Sequence, residues 1–206
     1  MTIVPSVSKI MIIRHAEKPP DDNNPAGVLL DGSHDVEALI VQGWQRAGAL
    51  PALFAPARGP LQTPILATPQ KIIASWTSAK SGSQRPLETV TPLALVLGLT
   101  PLTFPSTEVS QAVTAALTST GIVLISWQHE DIQTIATTIA SLTSLAVNPT
   151  PPSPWPPPKW PGKRFDLVWV FDLVKSNQAD SWTFTQVPQL LLAGDSSAPI
   201  QKKSKD

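Results

Sequence analysis

Two histidines follow short apolar runs of the chain and are the first candidates for chemistry. His15 comes after Arg14 and the run at residues 10–13, and His129 follows a run that ends at Trp127. An imidazole can act as a nucleophile, a general acid or base, or a metal ligand near neutral pH. Ligands of open α/β sheets bind just beyond the carboxyl ends of the strands. If the two runs form neighbouring strands, both imidazoles can face one small group.

Two arginines favour an anion as that group. Arg14 precedes His15, and Arg85 precedes Pro86, a residue type that is favoured at the first position of a helix. We therefore expect Arg85 near a helix N-terminus, where backbone amides and the helix dipole already attract anions. A guanidinium binds phosphate through two parallel donors. The alternative for Arg85 is an ion pair with Glu88 or with a neighbouring loop.

The composition restricts the class of protein and of site. The chain has 206 residues, of which 42% are apolar and 15% charged, which is typical of one folded domain rather than a disordered chain. Its 15 basic and 15 acidic residues balance, which disfavours nucleic acid as the main partner. The absence of cysteine excludes disulfides, thiol nucleophiles and thiolate metal sites. With only three histidines, no metal or cofactor is expected.

Neither a membrane segment nor a leader is expected from the sequence. No apolar run reaches the ~18 residues of a membrane span. Residues 1–13 lack the basic start and the long apolar stretch of a signal peptide. We therefore predict a cytoplasmic protein that does not contact membranes.

Apolar runs alternate with helical patterns along the chain. Buried strands are predicted at residues 10–13, 72–74, 122–125 and 167–171, and a half-exposed edge strand at 181–187. Helices are predicted at residues 36–54, 87–97, 109–117 and 132–145. This alternation predicts a single three-layer α/β/α domain with a mainly parallel central sheet over residues 1–200, followed by a solvated tail at 201–206.

Two polar or proline-rich segments are predicted to be loops. Residues 148–162 are dominated by proline and contain Trp155 and Trp160. Proline cannot propagate a helix or a central strand, so we expect a stiff loop whose tryptophans pack on the domain. The alternative is a polyproline ligand for an SH3- or WW-type partner. Residues 19–35 form the second loop, and His34 within it is expected to be exposed.

Four elements in chain order resemble the histidine phosphatase superfamily, which includes the phosphoglycerate mutases. Arg14-His15-Ala16 resembles its Arg-His-Gly/Ala signature, and Ile125-Ser126-Trp127-Gln128-His129 resembles its second histidine strand. Residues 42–47 are similar to its Gly-x-x-Arg-Ala helix, and residues 81–89 to its Ser-x-x-x-Arg-x-x-x-Thr element. The resemblance spans about residues 9–140 and implies a phosphoglycerate mutase-like fold.

The resemblance also implies an activity and a role for each matched residue. The activity is metal-independent cleavage of a phosphomonoester through a phosphohistidine. His15 would be the nucleophile, for which its ring must be neutral, with the other nitrogen bound to a carbonyl. Arg14 and Arg85 would bind the non-bridging oxygens. His129 would donate to the phosphoryl group and stabilise charge in the transition state.

Three carboxyl groups are candidates for the proton donor to the leaving group. Glu130 directly follows His129, at the place where the acid-phosphatase and phytase branch carries an aspartate, and is the preferred donor. We expect desolvation and the bound dianion to raise its pKa. Asp131 and Glu108 are the alternatives. Glu130 can instead be a carboxylate that complements the dipole of a helix beginning near Ile132.

Further candidates for substrate contact are Glu17, Lys18 and Ser81, although Glu17 and Lys18 can also form ion pairs on the rim. The partner is expected to be a small-molecule phosphate ester or a phosphorylated protein. Three other functions stay open: a phosphoglycerate-type mutase, a protein-phosphohistidine phosphatase, and a phosphate-binding interaction module without turnover. The sequence does not indicate an oligomeric state.

Overall fold

A computed structural model describes residues 2–77, 82–150 and 156–201 of the chain. Within these residues a seven-stranded sheet is combined with four helices, so the α/β class predicted from the sequence is confirmed. The strands are β1 (Val7–Arg14), β2 (Lys71–Trp76), β3 (Leu102–Pro105), β4 (Gly121–Trp127), β5 (Ala146–Pro149), β6 (Leu167–Val174) and β7 (Ser181–Pro188). The helices are α1 (Val41–Phe54), α2 (Arg85–Leu97), α3 (Val109–Thr118) and α4 (His129–Thr143).

The sheet is mainly parallel, as the alternation of strands and helices predicts. Its order is β3-β2-β4-β1-β6-β7-β5. Strands β3, β2, β4 and β1 pair in parallel, and β5 pairs in parallel with β7, whereas β6 is antiparallel to both of its neighbours. The four parallel strands need crossover connections, which α2, α3 and the segment containing α1 supply.

The core is divided between the two faces of the sheet. Successive side chains of a strand point to opposite faces, so Ile10 and Ile12 of β1 belong to one apolar cluster, and Met11 and Ile13 to another. Helices α3 and α4 contribute to the first cluster, and α1 and α2 to the second. Residues 10–13 are fully buried, which explains why β1 reads as a continuous apolar run rather than as an alternating pattern.

The register of β1 and β4 brings the two histidine motifs together. Arg14 pairs with Trp127 at the end of the ladder, and the His15 amide donates to the carbonyl of Trp127 at 3.0 Å. His129, two residues beyond Trp127, begins α4. The apolar runs that precede His15 and His129 are therefore neighbouring strands, which is the arrangement that lets both imidazoles face one small group.

Helix α1 begins at Val41, so the prediction that it starts at residue 36 is wrong. Backbone groups of residues 36–39 instead form hydrogen bonds with side chains of α2. Arg85 donates to the carbonyls of Val36 and Ala38, and the carboxylate of Glu88 accepts from the Leu39 amide at 2.9 Å. These bonds stabilise a non-helical entry to α1 and dock it against the start of α2.

Two short strands were not predicted, and one of them changes the place of β7. Strand β5 pairs with β7, so β7 is an interior strand and the prediction of an edge strand is wrong. Strand β5 ends in Asn148 and Pro149, residue types that are depleted in strands. Strand β3 lies at the opposite edge and is mostly exposed, so it lacks the apolar pattern of a buried strand.

The proline-rich segment packs back on the domain, as predicted, at Trp160. This side chain is fully buried, and its ring centroid lies 5.1 Å from that of Trp169. Trp155 and residues 202–206 of the predicted tail lie outside the described residues, and Gln201 is exposed. In the part of the chain that the structure describes, no helix has the length and apolar character needed to cross a membrane.

Candidate functional site

A cavity of about 670 Å³ opens beyond the carboxyl ends of β1 and β4. It contains five of the residues that the sequence singles out as site residues: His15, Lys18, Arg85, His129 and Glu130. The other residues that line it are Ser83, Ser106, Thr107, Val109, Gln128, Asp131 and Thr134. Helices α2 and α4 both begin at this cavity, so two helix N-termini contribute positive partial charge to it.

His15 has the state that a nitrogen nucleophile requires. Its side chain is buried, and Nδ1 lies 2.7 Å from the carbonyl oxygen of Ala16. Because a carbonyl only accepts, Nδ1 carries the proton and Nε2 keeps its lone pair. Burial, followed by the charge of Arg14, lowers the pKa of His15 well below its usual range, so the ring is neutral. The Ala16 amide is fixed in turn by Thr89 Oγ1 at 2.8 Å.

Arg14 is a buried cation whose hydrogen bonds are only partly satisfied. Its Nη1 donates to the carbonyl of Gly162, and its guanidinium carbon lies 3.8 Å from the ring centroid of Phe165. Among the described residues, Nε and Nη2 have no hydrogen-bond partner. Burial lowers the pKa of Arg14 to about 10, which leaves it charged at neutral pH. A buried cation with two unpaired donors is unfavourable by itself and typical of a site that binds an anion.

Arg14 is not among the residues that line the cavity. It lies beside the cavity, close enough for its charge to act on His15, Glu130 and Arg85. The expected role of Arg14 as a phosphate ligand therefore depends on its unpaired Nε–Nη2 edge rather than on exposure in the cavity.

Arg85 lines the cavity from the first position of α2, and Pro86 follows at the start of the helix as predicted. Its guanidinium also contacts the segment before α1: Nη2 lies 3.1 Å from Glu37 Oε2, and Nε donates to the carbonyl of Ala38 at 3.3 Å. Arg85 therefore forms the ion pair with a neighbouring loop that was the alternative to anion binding. Its acidic partner is Glu37 rather than Glu88. Binding of phosphate by Arg85 stays a prediction.

The expectation of a raised pKa for Glu130 is wrong. Glu130 Oε2 lies 2.9 Å from Nδ1 of His129, and this contact lowers the pKa of the Glu130 carboxyl to about 2. The contact outweighs the opposite effect of desolvation. Glu130 is therefore a carboxylate at neutral pH, in the first turn of α4, which begins at His129 rather than near Ile132.

The position of Glu17 does not support the prediction that this residue contacts substrate in the main cavity. Its carboxylate is buried and accepts from Arg46 Nε at 3.0 Å and from Nη2 at 2.8 Å. Glu17 lines a separate cavity of about 350 Å³. Lys18, the next residue, is exposed and does line the main cavity, whereas Ser81 lies outside the described residues.

The network that holds Glu17 was not predicted from the sequence. Arg46 of α1 also donates from Nη2 to Asp195 at 2.7 Å and from Nη1 to Gln189 at 3.1 Å. The only signal was the resemblance of residues 42–47 to a family element. Asp195 gave no signal at all, because it stands 149 positions away from its partner.

Two residues, Gly162 at the end of the proline-rich segment and Phe165 just beyond it, were also missed. The carbonyl of Gly162 accepts from Arg14, and a Cβ atom placed on Gly162 would lie 3.1 Å from Nε2 of His129. Phe165 stacks on the Arg14 guanidinium, and its ring centroid lies 6.0 Å from that of His15. A glycine and a phenylalanine near prolines form no recognisable pattern, so the sequence alone could not indicate this contact.

No protein-family model matches the chain, and no curated protein matches it significantly. Within residues 2–77, 82–150 and 156–201, no group of three or more His, Cys, Asp or Glu side chains is arranged to hold a metal ion.

Glu88 links the site to the segment before α1. Its side chain lies one turn after Arg85 on α2 and accepts from the Leu39 amide at 2.9 Å. Burial raises the pKa of the Glu88 carboxyl from 4.5 to about 7. When the pKa of a carboxyl is higher in the folded than in the unfolded state, its contribution to stability is complete at pH values below the unfolded-state pKa. This contribution is lost as the pH rises through the folded-state pKa.

We therefore predict that Glu88→Gln has nearly the Tm of the parent at pH 4.5 and a higher Tm at pH 8. Glutamine keeps an oxygen acceptor for Leu39 but does not ionise, so the cost of a buried charge disappears. Thermal melts followed by circular dichroism at the two pH values measure the difference. Glu108→Gln, a carboxyl at the start of α3, is the control. An equal shift of Tm at both pH values would contradict the assignment.

Proposed function

We propose that this protein is a histidine phosphatase that cleaves a phosphomonoester, without a metal ion, through a phosphohistidine on His15. One observation carries the proposal: a buried neutral imidazole adjoins a buried arginine, Arg14, that has two unpaired donors. The first group is a nucleophile and the second is a partner for an anion. The resemblance of four motifs to the histidine phosphatase superfamily supports the same activity.

In the proposed first step, Nε2 of His15 attacks phosphorus in line with the leaving oxygen. The N–P bond forms from the lone pair of Nε2, and the P–O bond to the leaving group breaks. Phosphorylation makes the ring cationic, and the Nδ1 proton on the Ala16 carbonyl stabilises that charge. The same hydrogen bond fixes the tautomer, so attack needs no prior loss of a proton.

Positive groups around the cavity would compensate the charge of the phosphoryl group. Arg14 offers its Nε–Nη2 edge, and Arg85 stands at the N-terminus of α2. Preorganised charges of this kind contribute most when they are buried and need no rearrangement during reaction. A phosphate dianion would also satisfy the buried donors of Arg14, which removes the cost of leaving them unpaired.

The proton for the leaving group would come from the pair formed by His129 and Glu130. The Glu130 carboxylate lies 2.9 Å from Nδ1 of His129, and Glu130 itself is ionised and has no proton to give at neutral pH, so His129 is the proposed donor. Water then attacks the phosphohistidine, the N–P bond breaks, and a proton of the water returns to His129. Glu130 thus acts as a positioning residue rather than as the acid expected from the sequence.

The rest of the cavity would hold the leaving group. Among the described residues that line it there is no Phe, Tyr or Trp, and hydroxyl groups come from the segment before α3 and from α4. Nucleobases usually stack on aromatic or arginine planes, and the lining residues that have such a plane, His15, His129 and Arg85, are already assigned to the phosphoryl group. The lining therefore favours an aliphatic, hydroxylated leaving group, in a small phosphate ester or a phosphorylated side chain, over a nucleotide.

The test of this function is turnover of p-nitrophenyl phosphate in the presence of a metal chelator. We predict activity of the parent protein and a loss of about 10³-fold or more in His15→Ala, because the nucleophile is removed. His34→Ala is the matched control, because His34 is exposed and does not line the cavity. Circular dichroism verifies that both variants fold. Activity retained in folded His15→Ala would assign the nucleophile elsewhere.

A second prediction concerns the proton. Glu130→Gln is expected to slow an alkyl phosphate by about 10²-fold or more, because an alkoxide leaves poorly without a proton. It should slow p-nitrophenyl phosphate much less, since that leaving group needs little help. Rates of both substrates at pH 7 measure the difference.

Asp131→Asn, in the same helical turn, is the matched control for Glu130→Gln. A selective loss in Asp131→Asn alone would move the role to Asp131. If neither variant discriminates between the two substrates, Glu130 is only a helix-start carboxylate. The result would then favour a substrate with a nitrogen leaving group, as in a protein-phosphohistidine phosphatase.

A further inference from the structure

Residues 160–166, which include the end of the proline-rich segment, are held at both ends. Trp160 is fully buried, and its Nε1 donates to the carbonyl of Arg164 at 2.7 Å. Asp166 is also buried, accepts from Arg164 Nε at 2.6 Å, and accepts from the Ser196 amide at 2.7 Å. The chain between Trp160 and Asp166 is therefore fixed by a core side chain at one end and an ion pair at the other.

This fixed segment contacts Arg14 through two carbonyls and one ring. The carbonyls of Gly162 and, at 3.4 Å, of Arg164 accept from Nη1, and the centroid of the Phe165 ring lies 3.8 Å from the guanidinium carbon. A guanidinium is planar, so one bonded nitrogen and one covered face define the orientation of the whole group. With Nη1 bonded, the Nε–Nη2 edge is the part left unpaired among the described residues. That edge presents the two parallel donors that match a phosphate.

The same segment reaches both histidines of the site. The Phe165 ring lies 6.0 Å from the His15 ring, and Gly162 lies so close to His129 that an added Cβ would be 3.1 Å from Nε2. Residues 162–165 thus adjoin the nucleophile, the anion partner and the second imidazole. Nothing else in the proline-rich stretch has such contacts among the described residues, and Pro156 and Pro157 are buried rather than free to bind a partner.

We propose that Phe165 and Gly162 are positioning residues of this site. Phe165 holds the guanidinium plane of Arg14 so that its Nε–Nη2 edge meets the phosphoryl group at His15. Gly162 supplies the carbonyl that occupies Nη1 and, having no side chain, leaves room for His129. The inference deepens the proposed function, because the anion at Arg14 is taken to be the phosphoryl group of the substrate.

The test begins with binding of inorganic phosphate, which needs no turnover. Isothermal titration compares the parent with Phe165→Leu and Phe165→Tyr. Leucine fills much of the space but has no π face, so it cannot hold the guanidinium of Arg14 in place for phosphate. We expect the Kd for phosphate to rise about 10-fold, within the range of a buried cation–π contact. Tyrosine keeps the face and should bind within about 3-fold of the parent. Thermal melts separate loss of binding from loss of folding.

A double-mutant cycle shows whether Phe165 acts through Arg14. In an Arg14→Gln background the cation that stacks on the ring is absent, so Phe165→Leu should cause little further loss of phosphate affinity. A residue that only fills space would weaken binding by the same factor in both backgrounds. Equal factors, or phosphate affinity unchanged in folded Phe165→Leu, would overturn the positioning role of Phe165.

Gly162→Ala tests the proposed role of Gly162. Its methyl group would press on His129, so kcat for p-nitrophenyl phosphate should fall about 10-fold or more while phosphate affinity changes little. Gly48→Ala is the control, because a Cβ there meets no atom within 4 Å. Unchanged kcat in Gly162→Ala would refute the role of Gly162.

The two proposals fail in different ways. If the parent protein binds phosphate and Phe165→Leu weakens this binding but the parent shows no turnover, the positioning role of Phe165 stands and the phosphatase activity does not. If the parent hydrolyses p-nitrophenyl phosphate through His15 while Phe165→Leu and Phe165→Tyr bind phosphate equally well, the phosphatase stands and the positioning role does not.

Discussion

The burial of the Arg14 charge is the constraint on which the rest of the site depends. A cation taken out of water needs partners, and the chain supplies a carbonyl for one nitrogen and a phenyl ring for one face. Two nitrogens stay unpaired among the described residues. The fold tolerates this because β1 and β4 fix the backbone at Arg14 and Trp127, and because the chain from Trp160 to Asp166 is held at both ends. In the proposed function, a phosphoryl group beside His15 would bind these two nitrogens.

Two carboxylates near His15 have partners in the fold. Glu17 stands two residues after His15, the proposed nucleophile, and is bound by Arg46 rather than exposed in the main cavity. Arg46 also binds Asp195, so this cluster of one guanidinium and two carboxylates keeps a net negative charge. Glu130 lines the main cavity and lies 2.9 Å from Nδ1 of His129. A phosphoryl group at His15 would be bound against the charge of Glu130, so the proposed site depends on the donors of Arg14 and Arg85.

The main strands and the residues at their ends could be predicted from the sequence because both depend on neighbours in the chain. The apolar run of β1 and the Arg85-Pro86 helix start are signals of this kind, and the structure has both. The rest depends on contacts between distant segments. Asp195 meets Arg46 across 149 positions. The sign of the pKa shift of Glu130 was missed because it depends on the 2.9 Å contact with Nδ1 of His129, which composition cannot reveal. Strand β5 pairs with β7, a contact between segments that are more than 30 positions apart in the chain.

The central claim is that His15 carries the phosphoryl group during turnover, and chemical trapping tests it most directly. The protein is mixed with a ³²P-labelled phosphomonoester, quenched within milliseconds in alkali, digested and mapped by mass spectrometry. Because phosphohistidine survives alkali and is lost in acid, the account predicts an alkali-stable, acid-labile label on the peptide that contains His15. His15→Ala should take up no label. Turnover by the parent protein with the label on another residue, or with no protein-bound label at any quench time, would contradict the account.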